Sequence, residues 1–394
     1  MNSPKIRFKG YTEDWEQRKL GELVGIYDGV HQTPDYQDSG IMFLSVENIA
    51  TLKSEKYISE EAFERDYKVY PEKDDILMTR IGDVGTTNVV ETAEKVAFYV
   101  SLALLKPNGI DSYFLSNAMK TNAFQKGLRE RTLVTAIPQK INKDEIGKID
   151  IFITNNDEEQ KKIGAYFSNL DHLITLHQRK CEQTKTLKKY MLQKMFPQEG
   201  QKVPEIRFEG FTGDWEQRKL GELGTVQTCK RIFKEQTSEK GDIPFFKNGT
   251  IGLEPDSYIS REMYEEFRRL YPYPEVGDTL ISVVGSIGRT AEYTGKDEYF
   301  QDSNVVWLKT DGSINKKFLK ISYQVIKWLI EGSTVKHLYN DNILRSEIVM
   351  PVSQIEQAKI AEFFEELDHL ITLHQREYEK LQELKKFMLQ NMFV

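Results

Sequence analysis

The sequence is poor in cysteine and contains no long hydrophobic run. Cys181 and Cys229 are the two cysteines among 394 residues, too few for a disulfide framework or a cysteine-rich metal site, which suits a reducing compartment. The longest uncharged apolar stretch, Val96 to Leu105, has about half the length of a membrane-spanning helix. The first ten residues lack the apolar core of a signal peptide. We therefore expect a cytoplasmic protein that has no membrane partner.

The chain also lacks the excess of basic residues that is typical of nucleic-acid-binding proteins. Its 54 Lys and Arg residues are outnumbered by 61 Asp and Glu residues, which gives a net charge of −7. A total charge says nothing about individual faces, so any nucleic-acid partner would have to be bound through local basic surfaces.

Motifs of the common catalytic sites are missing as well. The two glycine turns, IGDVGTT at 81–87 and VGSIGRT at 284–290, lack the lysine that a phosphate-binding loop requires, and there is no dinucleotide, helicase or adenine-methyltransferase motif. His172 and His177 stand five residues apart, about 140° around a helix, whereas metal-binding pairs use a spacing of four. We expect no metal site, with one histidine in a helix seam and the other near the surface. The sequence predicts a binding protein without a catalytic site of its own.

What the sequence does contain is a duplication of whole domains. Pro4–Leu23 returns as Pro204–Leu223 with 16 of 20 positions identical, and LDHLITLHQR occurs at both Leu170–Arg179 and Leu367–Arg376. The residues between these blocks barely resemble each other. The order predicts four parts, namely a variable domain (1–156), a conserved segment (157–199), a second variable domain (200–353) and a second conserved segment (354–394).

Each conserved segment predicts one long helix. Apolar residues recur with a period near 3.5, and the first helix is expected to run from Asp157 to Phe196, before Pro197 and Gly200. Such a helix is unstable alone, so we expect the two to pack together; two ordinary helices in separate domains are the alternative. The predicted interface residues are Ile163, Phe167, Leu170, Ile174 and His177 of the first helix and Ile360, Phe364, Leu367, Ile371 and His374 of the second. The seam is expected to continue through Leu187, Met191 and Met195, and through Leu381 and Met388.

The variable regions combine short strand-like runs with helical stretches. Runs such as Ile41–Val46 and Asp278–Val284 are bounded by Gly, Pro, Asn and Asp, whereas Ser112–Arg129 and Asn315–Glu331 predict helices. The predicted fold class is α+β, with two mixed α/β domains of about 150 residues separated by the two long helices.

This constellation resembles the specificity subunit of type I restriction-modification systems. The resemblance is carried by Trp15 with the block 19–22, by Trp215 with the block 219–222, by the two glycine turns and by the LDHLITLHQR helices. It implies two target-recognition domains, each reading one half of a split asymmetric DNA sequence, and an antiparallel coiled coil with internal pseudo-twofold symmetry that separates them.

The same resemblance implies partners and cofactors. Double-stranded DNA and two methyltransferase (M) subunits are the expected partners, and two restriction–translocase (R) subunits can join them. It implies no cofactor in this chain, since S-adenosylmethionine, ATP and magnesium are expected on the partner subunits.

Candidate DNA-binding residues are polar or basic side chains in loops beside predicted strands, together with Lys126, Arg129 and Arg131 at the end of a predicted helix. In the first domain they are His31, Gln32, Thr33, Arg80, Asn88, Lys126, Arg129 and Arg131. In the second domain they are Lys230, Arg231, Lys234, Lys247, Asn248, Ser286 and Arg289. For each of them the alternative is an ordinary solvated side chain. Trp15 and Trp215 are expected in the domain cores rather than stacked on bases.

Two other functions are compatible with the sequence. A structural coiled-coil adaptor that links two protein-binding domains would explain the long helices without DNA. A nuclease or methyltransferase with an unrecognised site would have to act without the usual motifs. Co-purification with a methyltransferase, a sequence-specific DNA shift and methyl transfer by the isolated chain distinguish the three.

Overall fold

The computed structural model describes residues 3–285, 287–302, 304–332 and 336–394. Contacts within the chain define two units, unit 1 with Met1–Arg179 and His374–Val394, and unit 2 with Lys180–Leu373. Each unit therefore contains one variable region and a part of both conserved segments. The domain bounds given from the sequence, 1–156 and 200–353, stay a prediction.

Nearly all elements of unit 1 come from the first variable region. Its strands are β1 Glu16–Lys19, β2 Val24–Asp28, β3 Ile41–Leu44, β4 Tyr57–Ile58, β5 Ile76–Thr79, β6 Thr87–Val89, β7 Val96–Phe98, β8 Leu102–Pro107 and β9 Asp150–Ile153. Its helices are α1 Leu20–Leu23, α2 Glu60–Asp66, α3 Ser112–Ala118, α4 Asn122–Arg131 and α5 Lys143–Gly147, followed by α6 Asp157–Lys194, which continues into unit 2.

The second variable region repeats this order. Its strands are β10 Glu216–Lys219, β11 Gly224–Gln227, β12 Ile243–Phe246, β13 Tyr258–Ile259, β14 Thr279–Ser282, β15 Thr290–Glu292, β16 Tyr299–Phe300, β17 Val305–Thr310 and β18 Glu347–Met350. Its helices are α7 Leu220–Leu223, α8 Arg261–Leu270, α9 Lys316–Ser322 and α10 Asn340–Arg345, followed by α11 Gln354–Asn391, which ends in unit 1.

The sheets of the two units have the same topology. Unit 1 has sheets of order β2-β8-β5-β6, β4-β3-β7 and β1-β9, and unit 2 has β11-β17-β14-β15, β13-β12-β16 and β10-β18. The parallel pair β3–β7 is repeated as β12–β16. The predicted duplication and the mixed α/β class are confirmed.

An aromatic cluster forms the main core of each unit. Trp15, which is 2% exposed, packs on Phe114 and Phe393 with ring centroids 5.5 and 5.8 Å away. In unit 2, Trp215 packs in the same way on Phe318 and Phe196, at 6.1 and 5.9 Å. Both tryptophans are 2% exposed, which confirms the expectation that they lie in the cores. Burial of such large aromatic rings contributes strongly to the stability of a core.

A buried ion pair fixes the start of each long helix. The Arg7 guanidinium donates two hydrogen bonds, of 2.6 and 2.9 Å, to the Glu159 carboxylate near the start of α6. Arg207 and Glu356 make the equivalent pair at the start of α11, at 2.7 and 2.9 Å. The hydrogen bonds that Arg7 donates to Glu159 raise the pKa of the Arg7 guanidinium.

The two long helices pack antiparallel within each unit. In unit 1, His177 contacts His374 and the Lys385 ammonium pairs with Asp171, so the residue numbers rise on one helix as they fall on the other. In unit 2, Lys188 pairs with Asp368 at 2.6 Å. The seam of α6 follows alternating steps of four and three residues, which is the heptad pattern of a coiled coil. The residues of this seam are Ile163, Phe167, Leu170, Ile174, His177, Cys181, Thr184, Lys188, Met191 and Met195, all buried or half-buried.

The seam prediction was wrong at one position. Leu187 is 46% exposed, because the four–three spacing places Thr184 and Lys188 toward the partner helix and Leu187 about 100° away from the seam. Lys188 is tolerated at the seam because its ammonium reaches a carboxylate of the other helix. His172 is exposed and His177 half-buried, as expected.

Two predicted helices are shorter than the sequence pattern indicated. The stretch Ser112–Arg129 contains two helices, because the Thr121 hydroxyl caps the start of α4 by accepting from the Phe124 amide. The stretch Asn315–Glu331 is helical only in α9. Helix α6 also ends two residues earlier than predicted, at Lys194 rather than Phe196.

Candidate nucleic-acid interface

A glycine turn joins β5 to β6 in unit 1. Gly82 and Gly85 have φ angles of 84° and 102°, in the left-handed region that favours glycine. The Gly85 amide donates to the Thr79 carbonyl at 2.9 Å and closes the turn. A Cβ atom on Gly85 would collide with the side chain of Leu128. The turn therefore lies directly on helix α4.

Two loops lie beside this turn. The Gly82 amide donates to the Gln139 carbonyl at 2.9 Å, and the Gln139 side-chain amide donates to the Gly82 carbonyl at 3.0 Å. These bonds hold the loop 132–141 against the turn. The Arg80 guanidinium pairs with Asp28, at the start of the loop 29–33. We call the residues 29–33, 81–86 and 132–141 loop cluster 1.

Unit 2 contains the equivalent turn between β14 and β15. The Gly288 amide donates to the Ser282 carbonyl at 3.0 Å. Val284 pairs with His337 in the loop 331–338, as Ile81 pairs with Lys140 in unit 1. The Asn248 side-chain amide donates to the Val284 carbonyl at 3.1 Å. We call the described residues of 230–234, 247–250, 284–289 and 331–338 loop cluster 2.

The candidate residues of unit 1 occupy three kinds of position. The exposed candidates are His31, Gln32, Thr33, Lys126 and Arg129. Arg131 is half-buried and donates to the Gly127 carbonyl at 3.3 Å. Asn88 lies in β6, where its side-chain amide donates to the Ile49 carbonyl at 3.0 Å. The exposed set is available to a partner, whereas the Asn88 side chain holds the fold together.

Arg80 does not lie on the surface as the sequence suggested. The residue is 7% exposed, and burial lowers the pKa of its guanidinium. Asp28 compensates the buried charge, and the Lys143 ammonium lies 3.9 Å from the other oxygen of the same carboxylate. Asp28 is far away in the sequence, which explains why the glycine turn alone pointed to an exposed arginine. The Arg80–Asp28 ion pair thus connects the end of β2 to the start of the glycine turn.

The candidates of unit 2 also differ in exposure. Lys230, Arg231, Lys234 and Arg289 are exposed, and Arg289 donates to the Gly249 carbonyl at 3.1 Å. Arg231 pairs with Asp302 at 2.7 Å and Lys247 with Asp256 at 2.9 Å. Asn248 is half-buried and bonded to the turn. Ser286 lies outside the described residues.

The structure adds residues that the sequence analysis missed. Gln139 and Lys140 lie in loop cluster 1 next to the turn, and His337 holds the corresponding place in loop cluster 2. No motif marks these positions. The one sequence signal for Gln139 and Lys140 is that the run from Arg131 to Lys140 contains no acidic residue.

Charge is distributed unevenly over the basic residues in and beside the two loop clusters. Within the described part of the chain, Lys126, Arg129, Lys140, Lys234 and Arg289 form no ion pair with a carboxylate, whereas Arg80, Arg231 and Lys247 do. Unpaired exposed cations attract an anionic partner more strongly than paired ones. Local basic groups are therefore present on a chain whose total charge is negative.

The described residues contain neither a candidate metal site nor a candidate membrane-spanning helix. Among the described residues, no three His, Cys, Asp or Glu side chains form a group that could hold a metal ion. None of the helices there has both the length and the apolar character that a bilayer-spanning segment needs.

Known proteins similar to this chain belong to one family. The family model of the type I restriction modification DNA specificity domain matches residues 12–186 and 212–383. A protein of Haemophilus influenzae named as a type I restriction enzyme specificity subunit is 46% identical over 158 residues, which are 39% of this chain and 41% of that protein. The MjaX specificity subunit of Methanocaldococcus jannaschii is 25% identical, with 98% of this chain and 94% of that protein covered.

A solved structure shows the same fold. The S subunit of a type I restriction-modification system from M. genitalium superposes with a TM-score of 0.70 at 15% identity and covers 100% of this chain and 99% of its own. The two matches of the family model, one in each half of the chain, agree with the duplicated fold. The chain belongs to the family of type I restriction-modification DNA specificity subunits, as the sequence resemblance predicted.

Proposed function

We propose that this chain binds a bipartite, asymmetric DNA target, reading one half-site with each loop cluster, and that it carries the methyltransferase and restriction subunits which act on that DNA. The chain itself performs recognition and has no catalytic role. This chain carries no cofactor in this proposal, and the S-adenosylmethionine, ATP and magnesium that the complex uses belong to the partner subunits. The proposed place of action is the cytoplasm.

The single observation that carries the proposal is the pair of loop clusters. Both are built on the same turn, between equivalent strands, and both pair that turn with a neighbouring loop. Their side chains differ, since Lys140 is replaced by His337 and Thr86 by Arg289 at the equivalent positions. Equivalent scaffolds with different side chains fit two DNA half-sites of different sequence, because base identity is read by side chains at groove edges.

The acidic total is compatible with DNA binding if affinity is shared among subunits. Phosphate contacts supply most of the salt-dependent affinity, while base contacts supply specificity. We infer that the M subunits provide many of the phosphate contacts. The isolated chain should then bind DNA weakly, and the complex with M subunits should bind it tightly.

A duplicated apolar surface on the long helices fits two M subunits. Leu187 and Tyr190 of α6 are exposed, and so are Leu384 and Phe387 at the equivalent positions of α11. Residues three apart share one face of a helix. Each helix thus presents one apolar pair that the fold leaves in water, and two equal surfaces suit two copies of the same partner.

The proposal is tested by exchanging one recognition region. Replacing residues 24–156 with the corresponding region of another family member should change one half of the methylated sequence and leave the other half unchanged. Methylation mapping in cells that contain the M subunits gives the result, with the wild-type chain as the reference. A change in both halves would contradict one half-site per domain, and unchanged methylation without the gene would favour the adaptor function.

A further inference from the structure

The tip of loop 132–141 presents apolar side chains to solvent. Ile137 is 99% exposed, Val134 69% and Leu133 45%. Apolar surface is stabilised when it leaves water, and none of these three side chains gains much of that stabilisation from the fold of unit 1. Such a patch within five residues marks an interaction site. We call these three residues the apolar tip.

Hydrogen bonds at the base of loop 132–141 hold the apolar tip in place. The Leu133 amide donates to the Lys140 carbonyl at 2.8 Å, so the two ends of the loop pair as a narrow ribbon. The Ile141 amide donates to the Arg80 carbonyl at 3.0 Å, and Gln139 is bonded to Gly82. The base of the ribbon is therefore fixed to the glycine turn by hydrogen bonds, and the apolar tip projects from it.

The charges around the apolar tip indicate what covers it. Arg131 precedes the tip and Lys140 follows it, and the ten residues between and including them contain no Asp or Glu. On the preceding helix, the exposed Lys126 and Arg129 outnumber the one exposed carboxylate, Glu130. An anionic partner with an apolar group is therefore favoured. Duplex DNA has both, because thymine places its 5-methyl group in the major groove between the phosphate strands, and that groove admits a two-stranded ribbon.

We propose that Ile137 contacts the 5-methyl group of a thymine in the half-site that unit 1 reads. This inference rests on the proposed function and extends it, because it names the loop and the base feature that it detects. The corresponding stretch of unit 2, EGSTVKHL at 331–338, begins with an acidic residue. The thymine contact is therefore assigned to unit 1 alone.

The test compares thymine with deoxyuridine, which lacks only the methyl group. The target is first identified by methylation mapping, and the complex of this chain with its M subunits is titrated with duplexes that carry deoxyuridine at each thymine of the unit 1 half-site in turn. We expect the wild-type complex to lose about three- to tenfold in affinity at one position, on the order of one buried methyl group. Ile137→Ala should bind the thymine and deoxyuridine duplexes equally well.

Ile355→Ala is the matched control, because Ile355 is also exposed, at 68%, and lies at the start of α11. This variant should keep the wild-type ratio between the two duplexes. Equal thermal melting of all three complexes shows that the tip variant is folded.

The outcomes separate this inference from the proposed function. The inference is overturned if Ile137→Ala keeps the wild-type ratio, if wild type shows no thymine preference while still rejecting mismatched targets, or if the unit 1 half-site contains no A·T pair. A wild-type complex without any target preference would instead refute the proposed function.

Discussion

The Nδ1 atoms of His177 and His374 lie 3.2 Å apart on facing helices of unit 1. The two residues occupy equivalent positions of the duplicated LDHLITLHQR blocks, and their ring centroids are 5.2 Å apart. A hydrogen bond at this distance requires one ring to present an N–H and the other a lone pair. A polar pair in an apolar seam fixes the register of two helices at some expense of stability.

Replacing both histidines with leucine should stabilise unit 1. The double variant His177→Leu with His374→Leu should raise the melting temperature by roughly 2–4 °C, because an apolar pair replaces a half-buried polar pair. Each single variant should melt below the double variant, since it leaves one imidazole facing leucine. Thermal denaturation gives the result, with exposed His172→Leu as the control. A double variant less stable than both single variants would contradict the seam assignment.

Loss of the Glu159 charge should destabilise unit 1 strongly. Glu159→Gln leaves the Arg7 guanidinium, whose side chain is 11% exposed, without its carboxylate, and breaking a buried pair costs about 3–5 kcal/mol. Chemical denaturation measures the change in the free energy of unfolding. Glu158→Gln is the matched control, because Glu158 is exposed and should change stability by less than about 0.5 kcal/mol. A similar small effect of both variants would show that the ion pair is dispensable.

The two glycines of the unit 1 turn should tolerate alanine unequally. Both have positive φ, but a Cβ at Gly85 meets Leu128, whereas nothing lies within 4 Å of a Cβ at Gly82. Gly82→Ala should cost roughly 1–2 kcal/mol of backbone strain. Gly85→Ala should cost more and should also weaken binding of the unit 1 half-site, because the turn must move. Denaturation and half-site titration check both variants, and equal losses would refute the packing of the turn on α4.

Basic side chains in and beside the loop clusters should differ in what they contribute to DNA binding. Arg289→Ala should cost about 1–3 kcal/mol at one base position if the guanidinium reads guanine. Lys126→Ala should weaken binding to all sequences alike and reduce the salt dependence, as loss of a phosphate contact does. Titrations of the M-containing complex at two salt concentrations, on matched and single-mismatch duplexes, assign each residue. Unchanged affinity would remove that residue from the interface.

The apolar pairs on the long helices should control assembly. Leu187→Ser with Tyr190→Ser should remove one M subunit from the complex, and adding Leu384→Ser with Phe387→Ser should remove both, because each pair is exposed and contributes to docking. Native mass spectrometry counts the subunits. Ile355→Ser, another exposed apolar position, is the control and should keep both copies. Full occupancy in the fourfold variant would place M binding elsewhere.

The sequence predicted the architecture because duplication and heptad spacing are local patterns. The blocks around Trp15 and Trp215 are identical at 16 of 20 positions, and the 3.5-residue period predicts α6 and α11 to within a few residues. The position of Leu187 was predicted wrongly because its apolar side chain suits a seam, whereas its angular position around the helix axis places it outside the seam. The break before α4 escaped because the cap by Thr121 competes with a continuous helical pattern.

The interface was less predictable because its geometry depends on distant residues. The pairing of Arg80 with Asp28 joins positions that no local pattern connects. Loop 132–141 carries no motif, and its place beside Gly82 follows from backbone bonds of Gln139. Exposed cations such as Lys126 and Arg129 were recognised because basic residues at the end of a helix are visible in the sequence itself.

The packing of Phe393 on Trp15 determines when unit 1 can be completed during synthesis. Unit 2 is one continuous segment, and Phe196, a ring partner of Trp215, is synthesised before Trp215. Trp15 and its first ring partner, Phe114, emerge from the ribosome early, but the second partner, Phe393, follows Trp15 by 378 residues, roughly 20–75 s later at usual elongation rates. The amino-terminal half of the chain is thus expected to reach its native core after the middle has folded, so nascent chains halted before residue 393 should leave unit 1 open to proteases while unit 2 is already protected.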